Sequence, residues 1–184
     1  LGSQPIQHDE FISEPVKRQR YWSRSALGWP RVSAAQPNAS HTALVKLEQA
    51  GLLTGVITQN VDRLHQRAGS QRVIDLHGRL DQVKCLDCGH ITTREAIQNW
   101  IEAHNALPNT SALKFRPDGD ADLPGHYVSD FRIPQCQQCG GVVMPEVVFF
   151  GGTVPRPIVD ECYQMIGASE GMLVIGSSLS VYSG

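Results

Sequence analysis

Four cysteines in two pairs are the residues whose type and spacing point most directly to chemistry. The stretches "CLDC" and "CQQC" each hold two thiols with two residues between them, and a glycine follows each pair. Two thiolates at this spacing can bind one metal ion, because the tight turn points both sulfurs to the same side. Four thiolates leave no coordination position open, so the pattern predicts a closed structural zinc site. The predicted ligands are Cys85, Cys88, Cys136 and Cys139.

Two disulfides or four free thiols are the alternatives to zinc. Zinc is favoured because the pairs lie in a chain that alternates helices and strands, and because thioredoxin-like redox proteins use one such pair rather than two. The fifth cysteine, Cys162, lies on the apolar face of a predicted helix. We therefore interpret it as a core residue.

Polar residues follow three predicted apolar strands, "GVIT", "RVIDL" and "MLVI". In open α/β sheets ligands bind at the carboxyl ends of the strands, where the connecting loops converge. Among these residues only His77 carries a side chain that commonly accepts a proton, which suits a general base. A polar strand end can also be a solvated turn. The candidate residues are Gln59, Asn60, Asp62, His77, Gly176, Ser177 and Ser178.

Two helices are predicted in the first part of the chain that could position these groups. The first covers 40–51, with Ser40 as amino-terminal cap, Gly51 as terminator and one apolar face. That face comprises Ala43, Leu44, Leu47 and Ala50. The second helix follows "CLDC" and begins with a capping box from Thr92 to Glu95. Its apolar positions are Ala96, Ile97, Trp100 and Ile101.

The second part of the chain alternates strand and helix patterns after a long irregular segment. Residues 106–134 are rich in Pro, Gly, Asp and Asn, which predicts an exposed insertion. "EVVFFGG" and "GMLVIGSSL" are typical of buried strands, and a helix between them has an apolar face. That face comprises Ile158, Val159, Cys162, Met165 and Ile166. Strands that alternate with helices predict an α/β fold with a parallel sheet.

Composition limits the classes of partner. The formal net charge is -2, the pI is about 6.4, and no block of like charges occurs. This balance supplies no basic surface for a nucleic-acid backbone, which also disfavours a zinc-ribbon nucleic-acid binder. No apolar run approaches the roughly 18 residues that indicate a membrane span. Neither nucleic acid nor a membrane is a predicted partner.

Five motifs, taken in order, resemble the sirtuin family of NAD-dependent protein deacylases, and their context resembles its class II branch. They are "TQNVDRLHQRAG", "LHG", the paired cysteine knuckles, "PEVVFFGGTV" and "GSSLSVYSG". The resemblance implies an incomplete Rossmann-like parallel sheet domain with a small Cys₄ zinc-binding module. The expected segments are 1–78 and 145–184 for the Rossmann-like part and 79–144 for the zinc module. It also implies a mitochondrial matrix location and acylated mitochondrial metabolic enzymes as partners.

The resemblance further implies a role for each candidate residue. His77 would be the general base, with Asn60 beside it in catalysis, and NAD would be consumed as co-substrate. Residues for NAD binding would be Gln59, Asn60, Asp62, Gly176, Ser177 and Ser178. An extended acylated peptide would pair with the chain at Val148, Phe150, Gly151 and Val181. Lipoyl, biotinyl and branched acyl groups are implied as cargo, and ADP-ribosyl transfer as a second activity.

The sequence departs from the family pattern at three places. Gly152 stands where the family usually carries Glu or Asp after "FFG". A glycine-rich first loop is expected before Leu1 and a last strand after Gly184, so both ends look cut. We therefore expect these 184 residues alone to bind NAD weakly or not at all. The alternative function is a noncatalytic zinc-containing scaffold with a vestigial cleft.

Overall fold

A computed structural model describes residues 5–108 and 125–180, with side chains from 127 onward in the second range. Contacts divide the chain into two compact units. Unit 1 comprises Leu1–Ala35 and Leu80–Gly152, and unit 2 comprises Gln36–Arg79 and Thr153–Gly184. The sequence placed segment boundaries after residues 78 and 144. The two contact units group the amino-terminal 35 residues and 145–152 with the cysteine-bearing segment, and the segment boundaries expected from the sequence stay a prediction.

Unit 2 is built on a parallel pair of strands. Strand β1 pairs with β2 in the register Val56↔Val73, Ile57↔Ile74 and Thr58↔Asp75. Parallel strands need a crossover between them, and a short helix supplies part of it here. The elements are α3 (Ala39–Gln49), β1 (Val56–Thr58), α4 (Leu64–Ala68), β2 (Val73–Asp75) and α7 (Arg156–Gly167). The prediction of an α/β fold with a parallel sheet is confirmed.

The amino-terminal cap of helix α3 lies two residues earlier than predicted, because Asn38 rather than Ser40 caps it. The Asn38 Oδ1 accepts the backbone N–H groups of Ser40 at 3.0 Å and His41 at 3.3 Å. An Asn at this position satisfies helical N–H groups that have no partner within the helix. Gly51 ends the helix as predicted, with a φ of +71° that favours glycine.

The buried face of α3 differs from the predicted one. His41 and Val45 are buried, whereas Ala43 and Leu47 are exposed. The contacts of α3 with α4 explain the difference, since they select the face that carries His41. Apolar spacing alone pointed to the wrong side of this helix.

Helix α7 packs against β2, and its predicted apolar face is buried in part, with Ile158 and Val159 half-buried. Cys162 and Met165 are buried, but Ile166 is 43% exposed. The Met165 side chain lies against Gly55, where an added Cβ would meet Met165 Cε at 2.7 Å and the Arg72 carbonyl oxygen at 2.9 Å. Glycine at 55 therefore allows the close approach of α7 to the strands.

The predicted strand "GMLVIGSSL" is wrong for the described part of the chain. Residues 171–175 pair with neither β1 nor β2, and the parallel sheet described here has two strands. Met172 and Leu173 are 66% and 73% exposed. A strand requires a neighbour whose N–H and C=O groups complete its ladder, and a sequence pattern does not supply one.

Unit 1 contains a three-stranded sheet in the order β4-β3-β5, except for the first two residues of its central strand, which fall in unit 2. The strands are β3 (Gly78–Cys85), β4 (Ile91–Thr93) and β5 (Val143–Val147), with β3 and β4 antiparallel. The strand expected over "EVVFFGG" is therefore wrong in position, since β5 begins before that stretch and ends at Val147. Its neighbour is β3, so it belongs to this sheet and not to the parallel pair.

Four helices belong to unit 1: α1 (His8–Ser13), α2 (Pro15–Ala34), α5 (Arg94–His104) and α6 (Gly125–Ser129). The buried core of unit 1 includes Phe11, Trp22, Val83, Ile97, Ile101, Phe131 and Phe149. Ile97 and Ile101 of the predicted α5 face are buried, whereas Trp100 is half-buried and Ala96 is exposed. The cap of α5 is Thr93, one residue later than predicted, and its Oγ1 accepts the Ala96 N–H at 3.1 Å. None of the described helices in either unit is long and apolar enough to cross a lipid bilayer.

A buried arginine ties α5 to α2 within unit 1. The Arg94 guanidinium lies 5.5 Å from the ring centroid of Trp22 and 5.1 Å from that of Trp29. Its Nη2 donates to the carbonyl oxygen of Ser25 at 3.1 Å. Burial lowers the pKa of Arg94 to about 10, so the side chain stays charged at neutral pH. The aromatic faces stabilise that charge.

The described ends of the long insertion contain both exposed and packed residues. Phe131 is 5% exposed and belongs to the core of unit 1. The Asn105 Oδ1 accepts the Arg132 N–H at 2.6 Å, which joins the two ends of the insertion. Residues 109–124, where the rest of the predicted exposed segment falls, lie outside the described residues.

Candidate functional site

Four cysteine thiols converge in unit 1. The Sγ atoms of Cys85, Cys88, Cys136 and Cys139 all lie within 4.8 Å of one another, and none forms a disulfide. The Sγ–Sγ distance is 3.5 Å for Cys85 and Cys139, and 3.7 Å for Cys88 and Cys136. A tetrahedral zinc ion with Zn–S bonds of about 2.3 Å requires sulfurs about 3.8 Å apart. The cluster therefore fits a structural zinc ion, as predicted.

The two knuckles have matching backbone geometry. The Gly89 N–H donates to the Cys85 carbonyl oxygen at 3.1 Å, and the Gly140 N–H donates to the Cys136 carbonyl oxygen at 2.8 Å. Both glycines have left-handed φ values, +73° and +75°. Side chains other than glycine are strained there, which explains why a glycine follows each pair.

Asp87 joins the two knuckles, and sequence reasoning missed it. Its Oδ2 accepts the Val142 N–H at 2.8 Å. An added Cβ at Gly141 would lie 2.1 Å from that Oδ2 atom, so the carboxylate and the second knuckle fit closely. The only signal in the sequence was an acidic residue inside a CxxC turn.

The close spacing of the four sulfurs favours a bound cation, because it makes four thiolates together unfavourable without one. The Cys88 N–H, which donates to the Cys85 Sγ, lowers the pKa of the Cys85 thiol to about 7. The Gly141 N–H acts in the same direction on Cys139, but the thiols of Cys88 and Cys85 outweigh it and raise the Cys139 pKa to about 12. Neighbouring thiolates repel one another. A divalent ion removes that repulsion and favours four thiolates together.

The second candidate region is the carboxyl edge of the parallel strands in unit 2. Thr58 ends β1 and is buried; its carbonyl oxygen accepts the Leu76 N–H at 2.9 Å, and its Oγ1 accepts the Asn60 N–H at 3.1 Å. Gln59 and Asn60 therefore leave β1 at the edge where His77 leaves β2. Gln59 and His77 are half-buried and Asn60 is exposed.

Asp62 lies at the start of α4, next to a residue in an unusual conformation. The Asp62 Oδ1 accepts the Leu64 N–H at 2.9 Å. Arg63 adopts left-handed angles, φ 64° and ψ 19°. Its guanidinium forms an ion pair with Asp75, whose Oδ1 also accepts from Gln66 Nε2 at 2.9 Å. The loop after β1 is thus connected to the last residue of β2.

Two histidines, His41 on α3 and His65 on α4, lie next to each other in unit 2. The rings of His41 and His65 have centroids 4.7 Å apart. The His65 Nδ1 is buried without a hydrogen-bond partner. Burial lowers the pKa of His65, the nearby His41 lowers it further, and Asp62 acts in the opposite direction.

The serines expected to hold a dinucleotide make local contacts. The Ser177 Oγ accepts the Leu179 N–H at 3.2 Å, and the Ser178 Oγ lies 2.7 Å from the Ser180 Oγ. Gly176 has a φ of +67°. Because residues 171–175 are not paired with β1 or β2, no strand places these three residues at the carboxyl edge in the described part of unit 2.

The segment expected to pair with a peptide lies in unit 1. The Phe150 carbonyl oxygen accepts the His8 N–H at 2.8 Å, and Phe150 is 59% exposed. Val148 is half-buried, and Gly151 has a φ of +74°. Val181 lies outside the described residues. An added Cβ at Gly152 would lie 2.9 Å from the Phe149 carbonyl oxygen, so an acidic residue at 152 would require a shift.

Comparison with known proteins identifies the family. A sequence model of the Sir2 family matches residues 3–183. The chain belongs to the Sir2 family. This Sir2-family chain is 48% identical to the NAD-dependent protein deacylase Sirt4 of Drosophila melanogaster, over 98% of the chain and 58% of that relative. It is 51% identical to an NAD-dependent protein deacetylase of Xanthomonas axonopodis pv. citri, over 98% of the chain and 62% of that relative.

The Sirt4 relative agrees with a class II assignment of the sirtuin-4 type. The bacterial relative is as similar to this Sir2-family chain, so identity does not separate the two groups. The chain spans between 58% and 62% of the length of these curated relatives.

Solved structures show that this Sir2-family chain has the sirtuin fold. A structure of Sir2 with a p53 peptide and NAD⁺ superposes with a TM-score of 0.72 at 32% identity, covering 99% of this chain and 65% of that one. A structure of Sir2Tm bound to a propionylated peptide gives a TM-score of 0.72 at 34% identity, covering 96% and 62%.

The half-buried His65, whose Nδ1 is shielded from solvent, predicts a pH dependence of stability in this Sir2-family chain. Because the pKa of His65 is lowered in the folded state, the unfolded chain binds a proton more readily. Stability should therefore fall as the pH drops below about 6.5, the ordinary histidine pKa. We expect His65→Gln to flatten this decline in denaturant unfolding measured from about pH 5 to pH 8.

His104→Gln, at the exposed end of α5, is the control. Its stability should decline with falling pH as steeply as that of the wild type. Acid acts on the thiolates equally in all three proteins, so the comparison removes that effect. An equal slope in wild type and His65→Gln would contradict the prediction.

Proposed function

We propose that the protein is an NAD-dependent protein lysine deacylase, which transfers the acyl group of a modified lysine to ADP-ribose and releases nicotinamide. The observation that carries the proposal is the common edge from which Asn60, Asp62 and His77 leave the two parallel strands. Family membership and the names of the relatives support the same activity.

In this proposal Gln59, Asn60 and Asp62 bind NAD through groups that suit amides and hydroxyls. Gly176, Ser177 and Ser178 are proposed to bind its ribose and phosphate region. NAD supplies the ribose that accepts the acyl group, with nicotinamide as the leaving group. Histidine is the side chain most often used as a general base, so His77 is proposed to take a proton from a ribose hydroxyl, and Asn60 to orient the groups around it.

The acylated peptide is proposed to pair with the backbone at Val148, Phe150, Gly151 and Val181. Pairing of this kind uses main-chain groups and so tolerates many substrate sequences. Phe150 is 59% exposed, which supports an accessible segment there, although its own carbonyl oxygen is bonded to the His8 N–H. Two solved relatives hold a p53 peptide and a propionylated peptide. The zinc ion is proposed to be structural, because four protein ligands leave no site for substrate.

Lipoyl, biotinyl and branched acyl groups are the proposed cargo beyond simple acyl groups, and ADP-ribosyl transfer is a proposed second activity. The likeness to a Sirt4 protein supports a mitochondrial matrix location with metabolic enzymes as substrates. The bacterial relatives are equally similar to this chain, and their names support neither this cargo, nor the second activity, nor a mitochondrial location. These details stay predictions.

The test is nicotinamide release from NAD by the full-length protein with a panel of peptides of one sequence. The panel carries acetyl-, propionyl-, lipoyl- and biotinyl-lysine, and the unmodified peptide is the control. We expect release that requires both NAD and an acylated peptide, with deacylated lysine appearing in equal amount.

Release no faster with any acylated peptide than with the unmodified one would contradict the proposal. A noncatalytic zinc-containing scaffold would then be favoured. Release that accompanies transfer of ADP-ribose to the protein, without deacylation, would favour the second activity instead.

A further inference from the structure

One carboxylate connects the two loops that carry the proposed NAD-binding and catalytic residues. Asp75 is the last residue of β2 and lies two positions before His77. Its two oxygens hold separate partners: Oδ2 pairs with the Arg63 guanidinium, and Oδ1 accepts from Gln66 Nε2 at 2.9 Å. The Asp75 side chain is 14% exposed and that of Arg63 is 22% exposed, so water competes weakly for this contact.

The left-handed backbone conformation of Arg63 requires contacts that stabilise it. Within the described ranges only Arg63 and Leu179 are residues other than glycine with a positive φ. Side chains disfavour this conformation, and it persists where the surrounding structure holds it. Arg63 directly follows Asp62, so the conformation at 63 decides the direction in which α4 leaves the loop.

The position of the Asp62 carboxylate depends on the direction in which α4 leaves the loop. Its Oδ1 accepts the Leu64 N–H of the first turn of α4, so a rotation of this turn would carry the carboxylate with it. Asn60 is fixed on the other side, through its N–H bond to the Thr58 Oγ1. The loop is therefore held at β1 by Thr58 and at α4 by Asp75.

We propose that Asp75 and Arg63 are positioning residues, whose ion pair holds the loop of Asn60 and Asp62 in the conformation that binds NAD. The inference rests on the proposed function. Neither residue is required to touch the dinucleotide. Loss of the pair would let the loop populate other conformations, and the apparent affinity for NAD would fall with the fraction that remains competent.

The experiment compares Asp75→Asn, Arg63→Ala and the double variant in the full-length protein. The KM for NAD should rise about tenfold in each single variant, within the range of coupling between paired side chains, while kcat changes much less. The double variant should be no worse than the worse single variant, because the second substitution has no contact left to remove.

Glu48→Gln is the matched control. Glu48 also holds backbone in unit 2, since its carboxylate accepts the N–H groups of Gln71 and Arg72, but Arg72 lies at the amino end of β2. This variant should lower the unfolding midpoint and leave the KM for NAD unchanged. If Asp75 only stabilised the fold, Asp75→Asn would likewise lower the unfolding midpoint and leave the KM for NAD unchanged.

The outcomes separate this inference from the proposed function. An inactive wild-type protein would contradict the proposed function itself. An active wild type with an unchanged KM for NAD in Asp75→Asn would overturn the inference, and so would effects of the two single substitutions that multiply in the double variant. If Asp75→Asn does not fold, Arg63→Ala against Glu48→Gln provides the same comparison.

Discussion

Replacing His77 by alanine will lower the rate of NAD-dependent deacylation by the full-length protein by about 10²–10⁴-fold, the usual contribution of a general base. Alanine cannot accept a proton, so the loss should appear in kcat. The KM for NAD should change little if His77 acts mainly in the chemical step. The measurement is steady-state nicotinamide release with a saturating acylated peptide.

His104→Ala is the control for His77→Ala. It removes an imidazole from the exposed end of α5 in unit 1, and we expect activity within about twofold of the wild type, as for most surface substitutions. Unfolding curves should show that both variants are folded. A folded His77→Ala protein with wild-type kcat would remove His77 from the mechanism and would favour a different proton acceptor.

The position of His77 explains why a strong effect is expected. The residue before it, Leu76, is buried and donates its N–H to the Thr58 carbonyl oxygen at 2.9 Å. The residue after it, Gly78, has a φ of +80° and starts β3. The imidazole is thus carried by a short fixed backbone between two strands. Such a backbone limits the conformations open to the proposed general base.

Local signals in the sequence predicted the features that depend on local structure. The cysteine spacing predicted both knuckles, and the glycine after each pair matches the left-handed φ observed there. The apolar stretches before Gln59 and His77 predicted β1 and β2. Their polar ends predicted the edge from which Asn60, Asp62 and His77 leave.

Features that depend on partners distant in sequence could not be predicted in this way. Residues 171–175 have a strand pattern but no paired neighbour in the described part of the chain. The buried face of α3 depends on α4, which selects His41. Asp75 looked like an ordinary strand residue, because its bond to Arg63 spans twelve positions and no local rule couples them. Side-chain networks of this kind follow from the fold.

Removing the metal ion will unfold unit 1, which we expect to be the largest effect of any single change to the protein. Structural zinc in small sites contributes an apparent 10–16 kcal/mol, whereas the net stability of a whole domain is about 5–15 kcal/mol. Cys136→Ala should act in the same direction, because Cys136 is 5% exposed and its loss leaves three thiolates around the ion. Zinc content and amide hydrogen exchange over 80–104 and 131–152 are the measurements.

Cys162→Ala is the matched control for the role of the metal. Cys162 is also buried, but it lies on α7 in unit 2 and is outside the cluster of four thiols. Its substitution should keep one zinc ion per chain and cost no more than the few kcal/mol typical of a small core truncation. The sheet β4-β3-β5 explains the contrast, since β3 ends at Cys85 and β5 begins soon after Cys139. A metal-free protein whose residues 80–104 keep full exchange protection would show that the apolar core of unit 1 suffices without the ion.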